Sequence, residues 1–223
     1  MTDTDNARGA PRRWRGQDPE DRRAARRAQL IDAGLELMGT EGAAGTTMRA
    51  TCRQAGLTER YFYESFENRD ALLIAVQDEV VLGARDVLVS SLANAPEGPA
   101  QLIRHVVSAF TAYVAEDRRR GRIMFVESHS VPELWHRGEQ LIDEFTVPIS
   151  ASLEMLRGEG DPPDRITTEL NSIGLFGSLA FVYQRWLTGS SRISSERIVE
   201  HISQVIEAHV NVDSSPKASP VSG

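Results

Sequence analysis

Between Thr46 and Arg69 the chain reads TTMRATCRQAGLTERYFYESFENR, and few folds can accommodate this stretch. Two short helical patterns flank Gly56, with Cys52 one turn before it. Helices that cross closely need a small residue at the contact, and the turn between them needs one that tolerates positive φ. Thr46 or Thr47 can cap the first helix. Thr58 is placed to cap the second by accepting from the N–H groups left free in its opening turn. Leu57, just ahead of that cap, packs on Phe62 as a hydrophobic staple. Phe62 then faces inward, which leaves Glu59, Arg60, Tyr61 and Tyr63 to point elsewhere. Such a surface has no purpose in a core, but it suits the edge of a DNA major groove.

A chain of 223 residues can bury a real core and hold one or two domains. Its formal net charge of -7 argues against a protein that coats nucleic acid indiscriminately. The charge is uneven, however, with eight arginines against three acids between residues 8 and 27. A basic arm on an acidic body fits a local contact with phosphates. Cys52 is the single cysteine, so neither an intramolecular disulfide nor a cysteine zinc site is expected, in keeping with a reducing cytoplasm. It reads as a small buried residue rather than a redox sensor. No apolar segment follows the N-terminal charges, so no secretory signal is expected. The most apolar long run, Leu170 to Leu187, is interrupted by Asn171, Gln184 and Arg185 and is not expected to span a membrane.

Residues 1–17 lack apolar periodicity and read as a disordered basic tail. Asp18-Pro19-Glu20-Asp21 then combines a cap, a proline at the first helical position and first-turn acids. The helix it opens carries Leu30, Ala33, Gly34, Leu37 and Met38 on one stripe and ends near Gly42. Arg22, Arg23, Arg26 and Arg27 lie on the same side, lower along the axis, where they are expected to overhang the core and meet phosphates. Gly42 to Gly45 reads as a connection, and residues 18–68 as a three-helix domain. Asn68 can cap a long helix running to about Ser91, the mechanical link into a second body over residues 69–211. Helical patterns follow at Gln101–Arg118, Arg120 to about Ser128, Pro132–Arg157 with Pro148 interrupting it, Asp164–Leu187 and Ser194–Val210. Residues 212–223 read as a disordered tail. The expected fold is all-α. On the last two helices, Gly174, Gly177, Ser178 and Phe181 form a small-residue face, and Ile198, Ile202, Val205 and Ile206 line the other. Both either complete an intramolecular bundle or pair with a second subunit.

RRAQLIDAGLELMGTEG followed by TTMRATCRQAGLTERYFYESFENRDALL resembles the tetracycline-repressor (TetR) family of bacterial transcription regulators over about residues 22 to 74. The resemblance implies an all-helical homodimer of nine or so helices, an N-terminal helix-turn-helix domain, a C-terminal ligand-binding and dimerisation bundle, and a four-helix interface from the last two helices. It also implies two recognition helices reading successive major grooves of a near-palindromic operator, about 34 to 36 Å apart. By position, Thr47, Arg49, Tyr63 and Arg69 match phosphate contacts, and Thr58, Glu59, Arg60 and Tyr61 the groove-facing set. The chain departs from the family at Ser65, where histidine is frequent, and at Glu67-Asn68-Arg69, where Pro-Ser-Lys is common. Thr51 takes a place that is usually apolar and is expected to bond back to a carbonyl one turn earlier. Glu59 either reads a cytosine amino group or is a helix-start acid without a base contact.

The function these readings imply is a repressor released from double-stranded DNA by a small, largely apolar effector of unknown identity. Phe110, Tyr113, Phe125, His129, Trp135, Phe145 and Phe181 supply aromatic surface for it, with Gln184, Glu127 and His129 as polar handles. A DNA-binding regulator without an effector is the alternative, and activation rather than repression stays open. Catalysis is not expected, nor any cofactor. Glu133 and His136, near Glu127 and His129, make one Glu-x-x-His pair of the kind that builds helical di-metal sites, but the second pair such a site needs is absent.

Overall fold

The computed structural model describes residues 19–141, 165–189 and 193–213. Residues 1–17, Phe145, Pro148, the loop at 158–163 and residues 214–223 lie outside the described residues, whereas Val212 and Asp213, expected in the tail, belong to the last helix. Within them the chain is all-helical: α1 (Pro19–Thr40), α2 (Gly42–Gly45), α3 (Met48–Ala55), α4 (Glu59–Ser65), α5 (Arg69–Ala93), α6 (Pro99–Glu116) and α7 (Arg118–Phe125). A 3-10 turn at Glu127–His129, α8 over 132–141, α9 (Arg165–Thr188) and α10 (Ser195–Asp213) follow.

Local signals set most of these boundaries. Thr47 caps α3, its hydroxyl accepting from the Ala50 N–H at 3.2 Å, and Asn68 caps α5 by accepting from the Ala71 N–H at 2.8 Å. Gly56 ends α3 at φ +65, in the left-handed region a turn this tight requires. Thr51 is buried and returns its hydroxyl to the Thr47 carbonyl at 2.9 Å. Two expectations change. Thr58 stands at the cap position of α4 with extended backbone, but its side chain makes no capping bond, and only its carbonyl accepts, from Tyr61 and Phe62. The Gly42 to Gly45 connection is a single helical turn, held at its start by a carboxylate on the Ala43 N–H and at its end by Thr46 bonding back to the Gly42 carbonyl.

Three clusters make the core. The first joins Leu30, Met38, Phe62, Phe66, Leu72, Val76 and Val80 to Ile123 and Leu134, so the N-terminal domain shares its interior with α7 and α8. The second packs α6, α7, α9 and α10 through Val107, Val114, Phe125, Tyr183, Trp186 and Ile202. A third, smaller one around Val81, Ala84 and Leu141 lies along the second half of α5. Apolar residues spread around α5 instead of forming one stripe, as expected of a helix packed on several sides. Of the apolar residues expected at a subunit interface, Ile198 and Ile202 are buried within the chain, because α10 lies along α6 and finds its cover there.

Glycine permits close helix approaches at two points along α1. A Cβ on Gly34 would lie 2.7 Å from Val76 Cγ2, and one on Gly39 would lie 2.4 Å from Arg119 Cβ and 3.1 Å from its Cα. The second contact is with the stem and backbone of α7, which cannot turn aside. Gly39→Ala should therefore cost about 1 to 3 kcal/mol of stability, read by denaturant unfolding. A loss within about 0.5 kcal/mol, the range of a neutral surface change, would show that α1 and α7 are not in this contact.

Candidate nucleic-acid interface

The first feature of the surface is what holds it. Phe62 is fully buried and edge-on to Tyr63 at 5.7 Å, so the side of α4 opposite Phe62 has to face solvent. Arg60 is exposed there and Thr58, Glu59 and Tyr63 along its flanks, with Tyr63 60% accessible, and Thr47 at the cap of α3 and Arg49 within it are exposed beside them. Arg49 and Glu59 approach to 3.4 Å across the two helices, and Arg60 pairs with Glu64 at 3.0 Å one turn along α4. Both arginines are 84% exposed, so these pairs are worth little in water and leave the cations available to an anionic partner. Burial pushes the Cys52 thiol up, and the Glu59 carboxylate adds to the shift, as fits a packing residue and not a reactive one.

Four other expected contacts have intramolecular partners. Arg69 donates to the Thr46 carbonyl at 2.9 Å and to the Ala43 carbonyl, and pairs with Asp70 at 3.3 Å, so its guanidinium ties the start of α5 to α2. Arg23 donates to the Glu64 carbonyl at 2.7 Å, and Arg26 sits over the Tyr61 ring at 4.5 Å while approaching Glu64 at 3.5 Å. Arg27 covers the Phe66 ring at 4.7 Å. The overhanging turns of α1 are thus laid on the end of α4, and Tyr61 is half-buried beneath them. Arg22 is exposed.

In the second body the aromatic residues separate into different places. Phe110, Phe125, Tyr183 and Trp186 form one packed group, with Phe125 and Tyr183 stacked at 5.6 Å and an interplanar angle of 6°. Tyr113 lies beside it and donates to the Val80 carbonyl at 2.9 Å. His129 and Trp135 make a surface pair at 5.0 Å, Trp135 being 45% exposed. Phe181 is 62% exposed and faces away from the group; Gln184 is half-buried. Glu127 is buried and already held by Arg122 at 2.9 Å and the Ala43 N–H at 2.8 Å, which removes it as an effector handle. No group of three or more His, Cys, Asp or Glu side chains able to hold a metal occurs among the described residues. Along α9, Leu170, Ile173 and Phe181 are exposed, and a Cβ on Gly174 or Gly177 would meet nothing.

Residues 30–76 match the family model described as bacterial regulatory proteins, tetR family. Over these residues the chain is similar to the TetR family. The TetR match runs from Leu30 in α1 through the helix-turn-helix to Val76 in α5, and therefore includes the whole exposed face just described. Curated relatives include the HTH-type transcriptional regulator BetI from two Escherichia coli strains, 32% identical over 77 residues. That match takes in 34% of this chain and 40% of BetI, so the chain matches less than half the length of these relatives. Solved structures extend the likeness to the whole fold. The fatty acid degradation regulator FadR from Bacillus halodurans has a TM-score of 0.69 at 18% identity, over 86% of this chain and 96% of that one. FadR from Bacillus subtilis, in complex with stearoyl-CoA, has a TM-score of 0.67 at 19% identity, over 82% and 97%. A TetR-like transcriptional regulator from Rhodococcus sp. RHA1 has a TM-score of 0.66 at 18% identity, over 84% and 97%. No helix among the described residues is long and apolar enough to cross a membrane.

The sequence reading missed Glu64, which gathers Arg23, Arg26 and Arg60, and the pairing of Arg122 with Glu127. Only the i,i+4 spacing of Arg60 and Glu64 was available as a signal. It also missed Tyr183 at the centre of the aromatic group. The Thr111 and Tyr183 hydroxyls share a hydrogen bond at 2.7 Å, and the Thr111 hydroxyl also lies 2.7 Å from the Val107 carbonyl. Burial raises the Tyr183 phenol to about 12, with the Thr111 bond acting in the opposite direction. An acid raised in the folded state stabilises the fold fully below its unfolded value, about 10, and loses that contribution as pH climbs through the folded value. Stability should accordingly decline between about pH 10 and 12. In Tyr183→Phe this part of the decline should vanish; an unchanged alkaline limb in pH-dependent unfolding would place the titration elsewhere.

Proposed function

We propose that this chain is a dimeric, sequence-specific DNA-binding regulator of transcription, a repressor released from a near-palindromic operator by a small, largely apolar effector. The observation that carries the reading is the exposed set of Thr58, Glu59, Arg60 and Tyr63 on a helix anchored by the buried Phe62. Its side chains offer both a guanidinium suited to guanine and hydroxyls suited to phosphate, on a helix short enough to enter a major groove end-on. Thr47 and Arg49 extend it toward the backbone. The arginines of α1 contribute by holding α4 at its angle, with Arg22 and the edges of Arg23 and Arg26 as secondary phosphate contacts.

For the dimer, the support is α9. Its Leu170, Ile173, Gly174, Gly177, Ser178 and Phe181 recur at helical spacing on one exposed face, where small residues let a second helix approach closely. A homodimer built there would present two reading heads. Val205, half-buried on α10, would lie at the edge of that contact. For an effector, the support is the group of Phe110, Tyr113 and Phe125 around Tyr183, which lies in the body distal to the reading face. The FadR structure with stearoyl-CoA shows one protein of this fold holding a long acyl chain, the chemistry such a lining suits.

Two experiments test the reading. Selection of binding sites from random duplexes by the full chain should yield a two-armed motif, and enrichment of none would overturn it. On the selected site, Arg60→Ala should relax one base position by about 1 to 3 kcal/mol, whereas Tyr63→Phe should weaken all sequences alike. Sedimentation tests the other half: Ile173→Glu should give monomers, while Ile198→Ala should lower unfolding stability by about 2 to 5 kcal/mol and leave the dimer intact. The reverse pattern would move the interface from α9 to α10.

A further inference from the structure

Arg122 and Glu127 bracket the turn between α1 and α2 with opposite charges on opposite poles. Arg122 donates to the Thr40 carbonyl at 2.7 Å and to the Gly39 carbonyl at 3.4 Å, at the end of α1 where carbonyls lack helical partners. Glu127 accepts the Ala43 N–H at 2.8 Å, at the start of α2 where N–H groups lack them. The two side chains are themselves joined at 2.9 Å, and Glu127 is 7% exposed. Gly42 lies between them at φ +83, where a Cβ would come within 3.2 Å of both. A guanidinium on carbonyls and a carboxylate on an N–H is the favourable polarity for both ends.

We propose that Arg122 and Glu127 are positioning residues for DNA recognition: a latch that sets the angle between the reading head and the C-terminal body, and so the spacing of the two heads. The inference rests on the reading of this chain as a two-headed DNA binder. α5 attaches the head to the body covalently at one side. The latch adds a polar attachment at the turn between α1 and α2 to the apolar contact of Ile123 and Leu134 with the head and the pairing of Arg119 with Glu36, and it is the one that holds the start of α2. Phe125 lies between the two latch residues in sequence and stacks on Tyr183, so the aromatic group and the latch share one short segment. A displacement of Phe125 is a displacement of the latch.

The test compares full chains on a duplex carrying both arms of the selected site and on one with a single arm scrambled. Glu127→Ala should bind the two-arm duplex about tenfold more weakly than the wild type, a loss of about 1.4 kcal/mol, and the one-arm duplex within about twofold. The reading face is intact in this variant, so only the spacing between heads is affected. Equal loss on both duplexes would mean a merely structural role, and no loss on either would mean no role; each overturns the latch while leaving DNA recognition standing. Failure of the wild type to select any site would remove the reading on which the latch rests. Hydrogen exchange without DNA gives an independent readout: the Ala43 amide should exchange about tenfold faster in the variant while the α3 amides do not change, and an unchanged Ala43 amide would refute the bond. Should Glu127→Ala not fold, Glu127→Gln keeps the shape and an acceptor for Ala43 but not the charge that holds Arg122. The two-arm loss is expected there too, and its absence would overturn the proposal.

Discussion

Burial of the Phe62 ring is the interaction on which the reading face depends. The ring has no accessible surface, and truncating a core phenylalanine of this kind typically costs about 3 to 5 kcal/mol. That is more than a seven-residue helix could supply from its own hydrogen bonds, since helices this short are marginal in water. α4 therefore exists because Phe62 is buried, and its rotation about its own axis is decided by the same contact. Everything said of Arg60, Glu59 and Tyr63 follows from which way Phe62 points. Gly56 matters to the same end: its positive φ sets the angle at which α4 leaves α3.

The distribution of arginine is the second organising fact. An exposed guanidinium is available to phosphate, whereas one satisfied by the carbonyls or carboxylates of other elements is part of the scaffold. Arg49 and Arg60 belong to the first kind, held only by surface acids. Arg69, Arg119 and Arg122 belong to the second, since each reaches across elements: Arg69 to α2, Arg119 to Glu36 on α1, Arg122 to the end of α1. Arg119 also grips Asp117, and that hydrogen bond is the main cause holding the Asp117 carboxyl below its ordinary value. A residue count near the helix-turn-helix treats all of these as one basic surface. The geometry divides them into recognition and construction.

How much of this the sequence discloses depends on how far apart the partners are. Gly56, the Thr47 and Asn68 caps, the Thr51 back-bond and the inward Phe62 all act within a turn or so of themselves, and each is legible from residue type and spacing. The cap missing from Thr58 is a local error with a local reason: a correct backbone does not oblige the hydroxyl to turn inward. The contacts that join the two bodies are different in kind. Arg119 to Glu36, Arg122 to Thr40 and Glu127 to Ala43 are separated by 83, 82 and 84 residues. No periodicity reports such a pair, although the near-constant offset, once seen, shows that the α7 segment runs alongside the end of α1 in the same direction. For α10 the amphipathic stripe was plain, but a stripe says only that something covers it, and α6 does so within the same chain. The α9 face is the converse, apolar and small yet left exposed by every element described.

α7 shows why these features act together. On one side Gly39 admits the Arg119 stem so closely that a Cβ there would sit 2.4 Å from it. On another, a Cβ on Gly121 would lie 2.1 Å from Leu187 Cδ1 on α9, so the Leu187 side chain is seated against the backbone of α7. An eight-residue helix pressed on two sides at glycine distances has no room to slide by itself. A change at Phe125 is therefore passed on, either to α1 and the reading head or to α9 and its exposed face. Under the reading of α9 as the subunit contact, the second route would be closed by the partner helix packed against it. Dimerisation would then do more than bring two heads to one operator: by immobilising α9 it would direct any movement in the aromatic group toward α1.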